Sequence, residues 1–303
     1  MPQNRRQFIK NALSGTAAIS TLPLLNSCSN KQAKLTILHT NDVHSQIEAL
    51  ANDHWEWPGK GGFSKRAALI DDIRKSAEHT LLLDAGDIFQ GTPYFNFYKG
   101  KLEIELMNKM HYDAATIGNH EFDNGIVELS KRVKEAKFPF ISSNYDFNET
   151  PLHGLTFPYK VFNKGAIKIG ILGVGIELEG LVNSASYGKT KYNNPISVAE
   201  KTANHLRNNE QCDYVICLSH LGYKYESEKI SDHSLAEATS NIDLILGGHT
   251  HTYLEKPTKV KNAIGKEVII NQAAYSGVCL GRIDVSFTNA KPITSTLNSI
   301  YHV

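Results

Sequence analysis

Five short polar clusters in the sequence carry residue types that bind metal ions. They are Asp42-Val43-His44, Gly86-Asp87, Gly118-Asn119-His120-Glu121-Phe122-Asp123, Ser219-His220 and Gly247-Gly248-His249-Thr250-His251. Carboxylate oxygens and imidazole nitrogens suit borderline divalent metals, and no cysteine lies in any of the clusters. Taken together, the clusters indicate a hydrolytic site that uses two metal ions.

Each cluster directly follows a short apolar run of the kind that forms a buried strand. These runs are residues 35–38, 81–83, 114–117, 215–218 and 242–246. Ligands of an open α/β sheet bind beyond the carboxyl ends of the strands, so the polar groups can converge there. A single Asp-x-His after a strand is more typical of a turn. Five such clusters at five strand ends favour a common site over ordinary packing.

The order of the clusters resembles the signature of the calcineurin-like metallophosphoesterases. The segments LHTNDVHS, LDAGDIFQGTP, GNHEFD, SHLG and GGHTH are similar to one branch, the catalytic domain of bacterial 5′-nucleotidases and UDP-sugar hydrolases. The similarity extends from about residue 35 to about residue 287. It implies a layered α/β-β/α sandwich, and a single catalytic domain over residues 29–303.

The resemblance also implies a ligand set for two divalent ions, which can be Zn²⁺, Mn²⁺, Co²⁺ or Fe²⁺. The implied ligands are Asp87 as the bridge, Asp42, His44 and His251 on one ion, and Asn119, His220 and His249 on the other. Ions about 3.5–4 Å apart can clamp a phosphoester, and water bound to them loses a proton near neutral pH and attacks phosphorus.

His120 lies next to a ligand position but is not needed as a ligand. In the family the matching histidine faces the substrate, where it stabilises the transition state or protonates the leaving oxygen. Asp123, three residues later, is expected to orient that imidazole. It is also a candidate N-cap for a helix over residues 124–136, and both roles can hold. Glu121 is expected to be structural.

The implied activity is the hydrolysis of phosphate esters, with 5′-nucleotides as the expected substrates. A 2′,3′-cyclic-nucleotide phosphodiesterase, a UDP-sugar hydrolase or a sulfur-ester hydrolase would use the same metal pair. A surface binding protein that keeps the fold without turnover is the alternative of a different class. The pair of His120 and Asp123 argues against that alternative, because a binding module does not need it.

Composition and pattern agree with one large α/β domain. The 303 residues include 41% hydrophobic residues, with 32 Lys and Arg against 31 Asp and Glu. This balance argues against a nucleic-acid polymer as partner, since dedicated binders carry a basic excess. Helices are predicted over residues 63–77, 102–110, 124–136 and 197–208, a β-hairpin over 159–162 and 167–172, and closing strands over 268–271 and 280–287.

The first 28 residues have the order of an export leader. Arg5-Arg6 lies in a segment that resembles a twin-arginine motif, and a weakly apolar stretch over residues 12–25 follows. Residues 25–28 are similar to a lipoprotein cleavage box ending at Cys28. We therefore expect export to the periplasm or cell envelope, with a lipid on Cys28 as the only membrane contact. Cys212, Cys217 and Cys279 are expected to be buried free thiols.

The 5′-nucleotidases of this kind usually continue into a second domain that grips the nucleoside, and this sequence ends soon after its last predicted strand. A separately encoded specificity domain is therefore an expected partner. The alternative is that aromatic residues of this chain bind the base. Trp55 and Trp57 form one candidate set, and Tyr94, Phe95, Phe97 and Tyr98 form the other, although ordinary packing is the expected role of both sets.

Overall fold

A computed structural model of the protein describes residues 32–289 and 291–303, with residues 293–299 described through their backbone only. The leader, its arginine pair and Cys28 lie outside the described residues. None of the described helices is long and apolar enough to cross a membrane.

Two mixed sheets form the centre of the fold. The described strands are β1 (Gln32–Thr40), β2 (His79–Asp84), β3 (Ala114–Ala115), β4 (Tyr145–Asp146), β5 (Tyr159–Lys164), β6 (Ile167–Gly175), β7 (Lys191–Tyr192), β8 (Tyr214–His220), β9 (Leu244–Gly247), β10 (Thr258–Lys261), β11 (Glu267–Asn271), β12 (Cys279–Thr288) and β13 (Lys291–His302). The first sheet has the order β13-β12-β1-β2-β3, the second has the order β10-β11-β9-β8-β6-β5, and β4 pairs with β7 alone.

Helices cover the outer face of each sheet. They are α1 (Phe63–Ser76), α2 (Pro93–Tyr98), α3 (Lys101–Lys109), α4 (Ile126–Glu135), α5 (Ser184–Tyr187), α6 (Pro195–Asn208) and α7 (Asp232–Ala238), with a 3₁₀ turn at His120–Phe122. One core lies between α1, α3, α4 and the first sheet, and another lies between α6, α7 and the second sheet. These layers confirm the expected α/β-β/α sandwich.

A third core joins the two sheets face to face. Alternate residues of β1 and β2, such as Ile37 and Leu83, meet Ile171, Ile216 and Leu246 of the second sheet. The intervening residues of the same strands face the helices, so these strands are buried on both faces. This burial explains why they appear in the sequence as continuous apolar runs.

Most of the predicted elements are confirmed. The four predicted helices end within two residues of α1, α3, α4 and α6. The predicted hairpin is the antiparallel pair β5–β6, in which Tyr159 is opposite Leu172. The predicted closing strands are β11 and β12. The three cysteines within the described residues are buried and free, as expected.

Two predictions about element ends are wrong. Asp123 is not the N-cap of α4, because the 3₁₀ turn leads into Gly125, which occupies the cap position with φ 82°. A side chain at this φ would be strained, so glycine suits the position. The predicted strand over residues 280–287 is also not the last one, since β13 pairs antiparallel with β12.

Candidate metal centre

The carboxyl ends of the parallel strands bring the five clusters together. Asp42 follows β1, Asp87 follows β2, and His220 is the last residue of β8. The loops after β1 and β2 are joined by backbone hydrogen bonds, from Asp42 N–H to Gly86 O at 2.9 Å and from His44 N–H to Asp87 O at 3.0 Å. Adjacent strand ends therefore present their side chains to one point.

Three groups of ligand atoms lie close enough to hold metal ions, with all atoms of a group within 4.8 Å of one another. The groups are Asp42, His44 and His251; His44, Asp87 and His120; and Asp87, His220 and His249. The first and third groups match the two expected ligand sets, with Asp87 next to both. Asn119 joins the third group through its Oδ1, 2.9 Å from His249 Nδ1.

The donor atoms fit a pair of divalent ions. His220 Nε2 is buried and lacks a hydrogen bond of acceptable geometry, although Asp87 Oδ2 is only 2.9 Å away. The Nε2 atoms of His44 and His251 also face each other at 2.9 Å. A buried nitrogen such as His220 Nε2 is satisfied when it shares a cation with the neighbouring carboxylate, and the two facing nitrogens of His44 and His251 can bind the same kind of ion.

Two of the histidines have their outer ring nitrogen bonded to a backbone carbonyl. His220 Nδ1 is 2.7 Å from Ala85 O, and His44 Nδ1 is 3.1 Å from Gln90 O and 3.3 Å from Phe89 O. A carbonyl can only accept, so each Nδ1 carries the proton. The lone pair of each Nε2 is thereby directed into the site, as metal-binding histidines require.

Five of the seven expected ligands adopt left-handed backbone conformations that are unusual for residues with a side chain. Their φ values are 50° at Asp42, 51° at His44, 56° at Asp87, 74° at His249 and 55° at His251. Such a conformation costs about 1–2 kcal/mol per residue, and strain of this kind concentrates at functional sites. The site also needs close backbone approach, because a Cβ on Gly118 would lie 2.3 Å from Asp87 Oδ1.

Burial and mutual charge set the protonation of the ligands. Burial lowers the pKa of His249 to about 3 and that of His251 to about 4, so both are neutral near pH 7. Burial raises the pKa of Asp42 to about 8. Burial opposes the charge on His220, but the carboxylate of Asp87 raises the pKa of His220 to about 10. A bound cation would replace this proton, which couples metal binding to proton release.

His120 lies at the exposed side of the site, paired with Asp123. The Nδ1 of His120 is 2.7 Å from Asp123 Oδ2, and the His120 side chain is 34% exposed. Its backbone N–H donates to Asp87 Oδ1 at 2.9 Å. The hydrogen bond with Asp123 raises the pKa of His120, against the effect of burial. The structure thus places both residues beside the expected ligands, and their catalytic role stays a prediction.

Glu121 is buried and accepts hydrogen bonds from backbone N–H groups of the two neighbouring loops. Its donors are Asp87 at 2.9 Å, Ile88 at 2.7 Å and Gly118 at 2.6 Å. This carboxylate joins the loop after β2 to the loop after β3. Its bond from Asp87 N–H fixes the backbone of Asp87, the expected bridging ligand.

Some supporting residues were not identified from the sequence. Asn41 donates from Nδ2 to Asp42 Oδ2 at 2.6 Å and accepts from Ala273 N–H at 2.8 Å.

Gln272 donates to Gly248 O at 2.9 Å and to Asp232 Oδ2 at 3.0 Å, which fixes the loop that carries His249. Gln272 directly follows β11, a parallel neighbour of β9, so the strand-end rule could have found it.

The expectation that the aromatic residues pack in the interior is only partly right. Phe95 is buried and Trp57 packs against a small core. The expectation is wrong for three side chains that lie largely in solvent, with exposed fractions of 84% for Trp55, 81% for Phe97 and 51% for Tyr98.

Comparison with known proteins agrees with this geometry. The sequence profile of the calcineurin-like phosphoesterases matches residues 35–253. The chain belongs to this family. Its homologues are 5′-nucleotidases of the metallophosphoesterase superfamily, which indicates a hydrolase. The resemblance described from the sequence is thus confirmed, and the family implies divalent metal ions.

Three relatives illustrate the similarity. A snake venom 5′-nucleotidase of Gloydius brevicauda is 35% identical over 275 residues, which cover 84% of this chain and 45% of the relative. The crystal structure of a 5′-nucleotidase precursor from Thermus thermophilus superposes with a TM-score of 0.81 at 33% identity, covering 89% of this chain and 54% of that one. The NAD nucleotidase (NadN) structure of Haemophilus influenzae has a TM-score of 0.77 at 30% identity, with coverage of 90% and 51%. The chain thus spans about half the length of these relatives.

Proposed function

We propose that the protein hydrolyses phosphate esters with two divalent metal ions, and that 5′-nucleotides are its substrates. The observation that carries the proposal is the convergence of three ligand groups beside an accessible His120. The first and second groups share His44, and the second and third share Asp87. The relatives named as 5′-nucleotidases support nucleotides as the substrate class.

The roles of the residues follow from their positions. When bound, a pair of divalent ions supplies Lewis-acid stabilisation of the phosphoryl oxygens and a reactive water near neutral pH. Asp87 holds the two halves of the site together, since it lies within reach of both ligand sets. Because Nδ1 of His120 bonds to Asp123, Nε2 is the nitrogen left to face the phosphate and the leaving oxygen. Asp123 keeps that ring in one orientation.

Nucleoside selectivity is proposed to come from a separate specificity domain that covers the opening. Two metals and His120 can position a phosphate, whereas remote binding energy is what lowers KM and aligns the leaving group. The exposed aromatic side chains of Trp55 and Phe97 support the alternative, in which this chain itself contacts the base. We expect broad phosphoester hydrolysis with high KM from this chain alone.

A substrate panel on metal-reconstituted protein tests the proposed function. AMP, a 2′,3′-cyclic nucleotide, UDP-glucose and p-nitrophenyl phosphate should be compared with Zn²⁺, Mn²⁺, Co²⁺ and Fe²⁺. We expect AMP hydrolysis that chelation abolishes and added metal restores. Metal-loaded protein that binds AMP without turnover would identify a binding protein instead. Micromolar KM for AMP with strong preference over the aryl phosphate would contradict the need for a separate specificity domain.

Export and a lipid anchor at Cys28 are proposed from the leader sequence. The arginine pair and the cleavage-box segment support them, and the venom relative is by its name a secreted protein. Several acyl chains would be needed for firm attachment, since one chain anchors only marginally. Cell fractionation of the wild type and Cys28→Ser checks the proposal, and a cytoplasmic wild type with its leader intact would contradict it.

A further inference from the structure

His251 is held in a different way from His44 and His220. His44 and His220 each have Nδ1 against a backbone carbonyl. In the part of the chain that the structure describes, no such hydrogen bond reaches Nδ1 of His251. The ring of Tyr275 instead stacks on the His251 ring, with centroids 5.1 Å apart and planes inclined by 22°. This offset stack is the arrangement that aromatic rings prefer.

The ring of Tyr275 is itself fixed at its far end. Its hydroxyl donates to Glu56 Oε2 at 2.8 Å. Glu56 belongs to a turn in which His54 Nδ1 accepts from the backbone N–H groups of Trp57 at 3.0 Å and Glu56 at 3.3 Å. The phenol therefore links the ring beside His251 to the turn that contains Glu56, and this hydrogen bond restrains the tilt of the ring.

The backbone on both sides of Tyr275 is strained. Ala274 has φ 57° and Ser276 has φ 52°, although neither is glycine. Strain of this kind persists only where surrounding contacts impose it. Here Asn41 Nδ2 donates to Ala274 O at 2.7 Å, and Ser276 N–H donates to Asp42 O at 2.7 Å. The turn that presents Tyr275 is thus tied to Asp42, which shares a ligand group with His251.

A small apolar cluster supports the turn from below. Ala273, Ala274, Val278 and Cys279 are buried together, and Tyr275 packs against them. This cluster is separate from the three cores of the sheets and helices. The cluster therefore packs against the ring that stacks on His251.

We propose that Tyr275, fixed by Glu56, is a positioning residue that orients the imidazole of His251 for metal binding. It would take the place of the carbonyl that orients His44 and His220. The inference rests on the proposed metal centre, and it concerns one side of that centre only. Loss of the partner that orients a metal-binding histidine lowers metal affinity by about 10–100-fold.

Metal titration of the metal-free protein tests the inference. Tyr275→Leu removes the stacked ring, Tyr275→Phe keeps the ring but removes the bond to Glu56, and Glu56→Gln keeps an acceptor for the phenol. Tyr159→Leu is the matched control, because its ring contacts His205 and its hydroxyl donates to Glu210, and neither residue is an expected ligand. Calorimetric titration with Zn²⁺ gives the affinities, and the visible absorption bands of the Co²⁺-loaded protein report ligand geometry.

We expect Tyr275→Leu to weaken one of two metal sites by about 10-fold and to change the Co²⁺ absorption bands. Tyr275→Phe should lose less, Glu56→Gln should resemble the wild type, and Tyr159→Leu should have no effect. Circular dichroism and thermal unfolding of the metal-free variants separate misfolding from loss of affinity. Unchanged affinity and absorption in a folded Tyr275→Leu would overturn the inference while leaving the metal centre intact. A wild type that binds no metal would overturn both.

Discussion

The two sides of the candidate metal centre are built differently. On one side the His220 side chain is fully buried and Asp87 is only 2% exposed. On the other side His251 is 41% exposed, and it comes from a loop beyond the end of β9. His220 is held by its strand and by a backbone carbonyl, whereas His251 depends on a contact between two loops. Affinity and exchange of the two ions should therefore respond differently to substitutions.

Asp87 and His220 form a buried pair, which has an electrostatic cost. Burial opposes the charge of Asp87, but the nearby charges of His220 and His44 hold the pKa of Asp87 below its ordinary value. A buried pair of this kind remains costly unless further partners satisfy it. Divalent cations provide those partners, so metal binding should stabilise this pair.

Asp87→Ala should have the largest effect, because Asp87 is the carboxylate that both sides share. We expect phosphatase activity to fall below detection and the metal content to fall from about two ions per chain. Mass spectrometric metal analysis and AMP hydrolysis measure the two effects. Asp72→Ala, at an exposed ion pair with Lys75, is a suitable control. Full activity in Asp87→Ala would refute the bridging assignment.

His120→Ala should have the next largest effect, and it should leave both sides of the centre loaded. We expect kcat to fall by on the order of 10²–10⁴-fold with unchanged metal content, because the ring acts on the transition state. Asp123→Asn should lose less, since it keeps a group that can bond to Nδ1. Loss of metal from His120→Ala would instead show that His120 is a ligand. Its place in the group with His44 and Asp87 would agree with that result.

The sequence predicted the buried side of the centre better than the exposed side. Asp87 and His220 follow apolar runs that can only be buried strands, so their positions follow from local pattern and sheet topology. The contact between Tyr275 and His251 joins two loops, and neither loop has periodicity. No local signal marks such a contact, because it depends on how the turn after β11 packs.

The same reasoning explains the elements that were missed. β13 consists largely of Thr, Ser, Asn and Lys with scattered apolar residues, so its alternation is weak. As an edge strand it pairs only with β12, and its place in the sheet depends on that partner more than on its own residue pattern.

Helix α7 has seven residues, too few for a clear period, although Ser231 and Ser234 form a capping box at its start.

Asp232→Asn should have the smallest effect on the metal centre, because Asp232 is not an expected ligand. It tests how much a buried carboxylate lowers the free energy of unfolding when it ionises. Asp232 is fully buried, and its carboxylate accepts from Ser219 Oγ at 2.5 Å and Gln272 Nε2 at 3.0 Å. Burial raises the pKa of Asp232 from 3.8 to about 7. The folded protein thus holds this proton more tightly than the unfolded chain does between about pH 4 and pH 7. By linkage, the free energy of unfolding falls as the pH rises through that window.

The variant cannot ionise at this position, so its stability should fall less steeply with pH. The raised pKa of Asp232 sets an upper bound of about 4 kcal/mol on the difference at pH 8, and hydrogen bonds to the carboxylate will reduce it. Urea unfolding of metal-free wild type and variant at pH 5 and pH 8 measures the two slopes. At pH 5 the folded carboxyl is still mostly protonated but the unfolded one is already ionised, so part of the effect is present there, and the change in stability between pH 5 and pH 8 is the quantity to compare. Parallel pH dependence would show that Asp232 ionises without cost, and the contrast between the two sides would then rest on Asp87 and His220 alone.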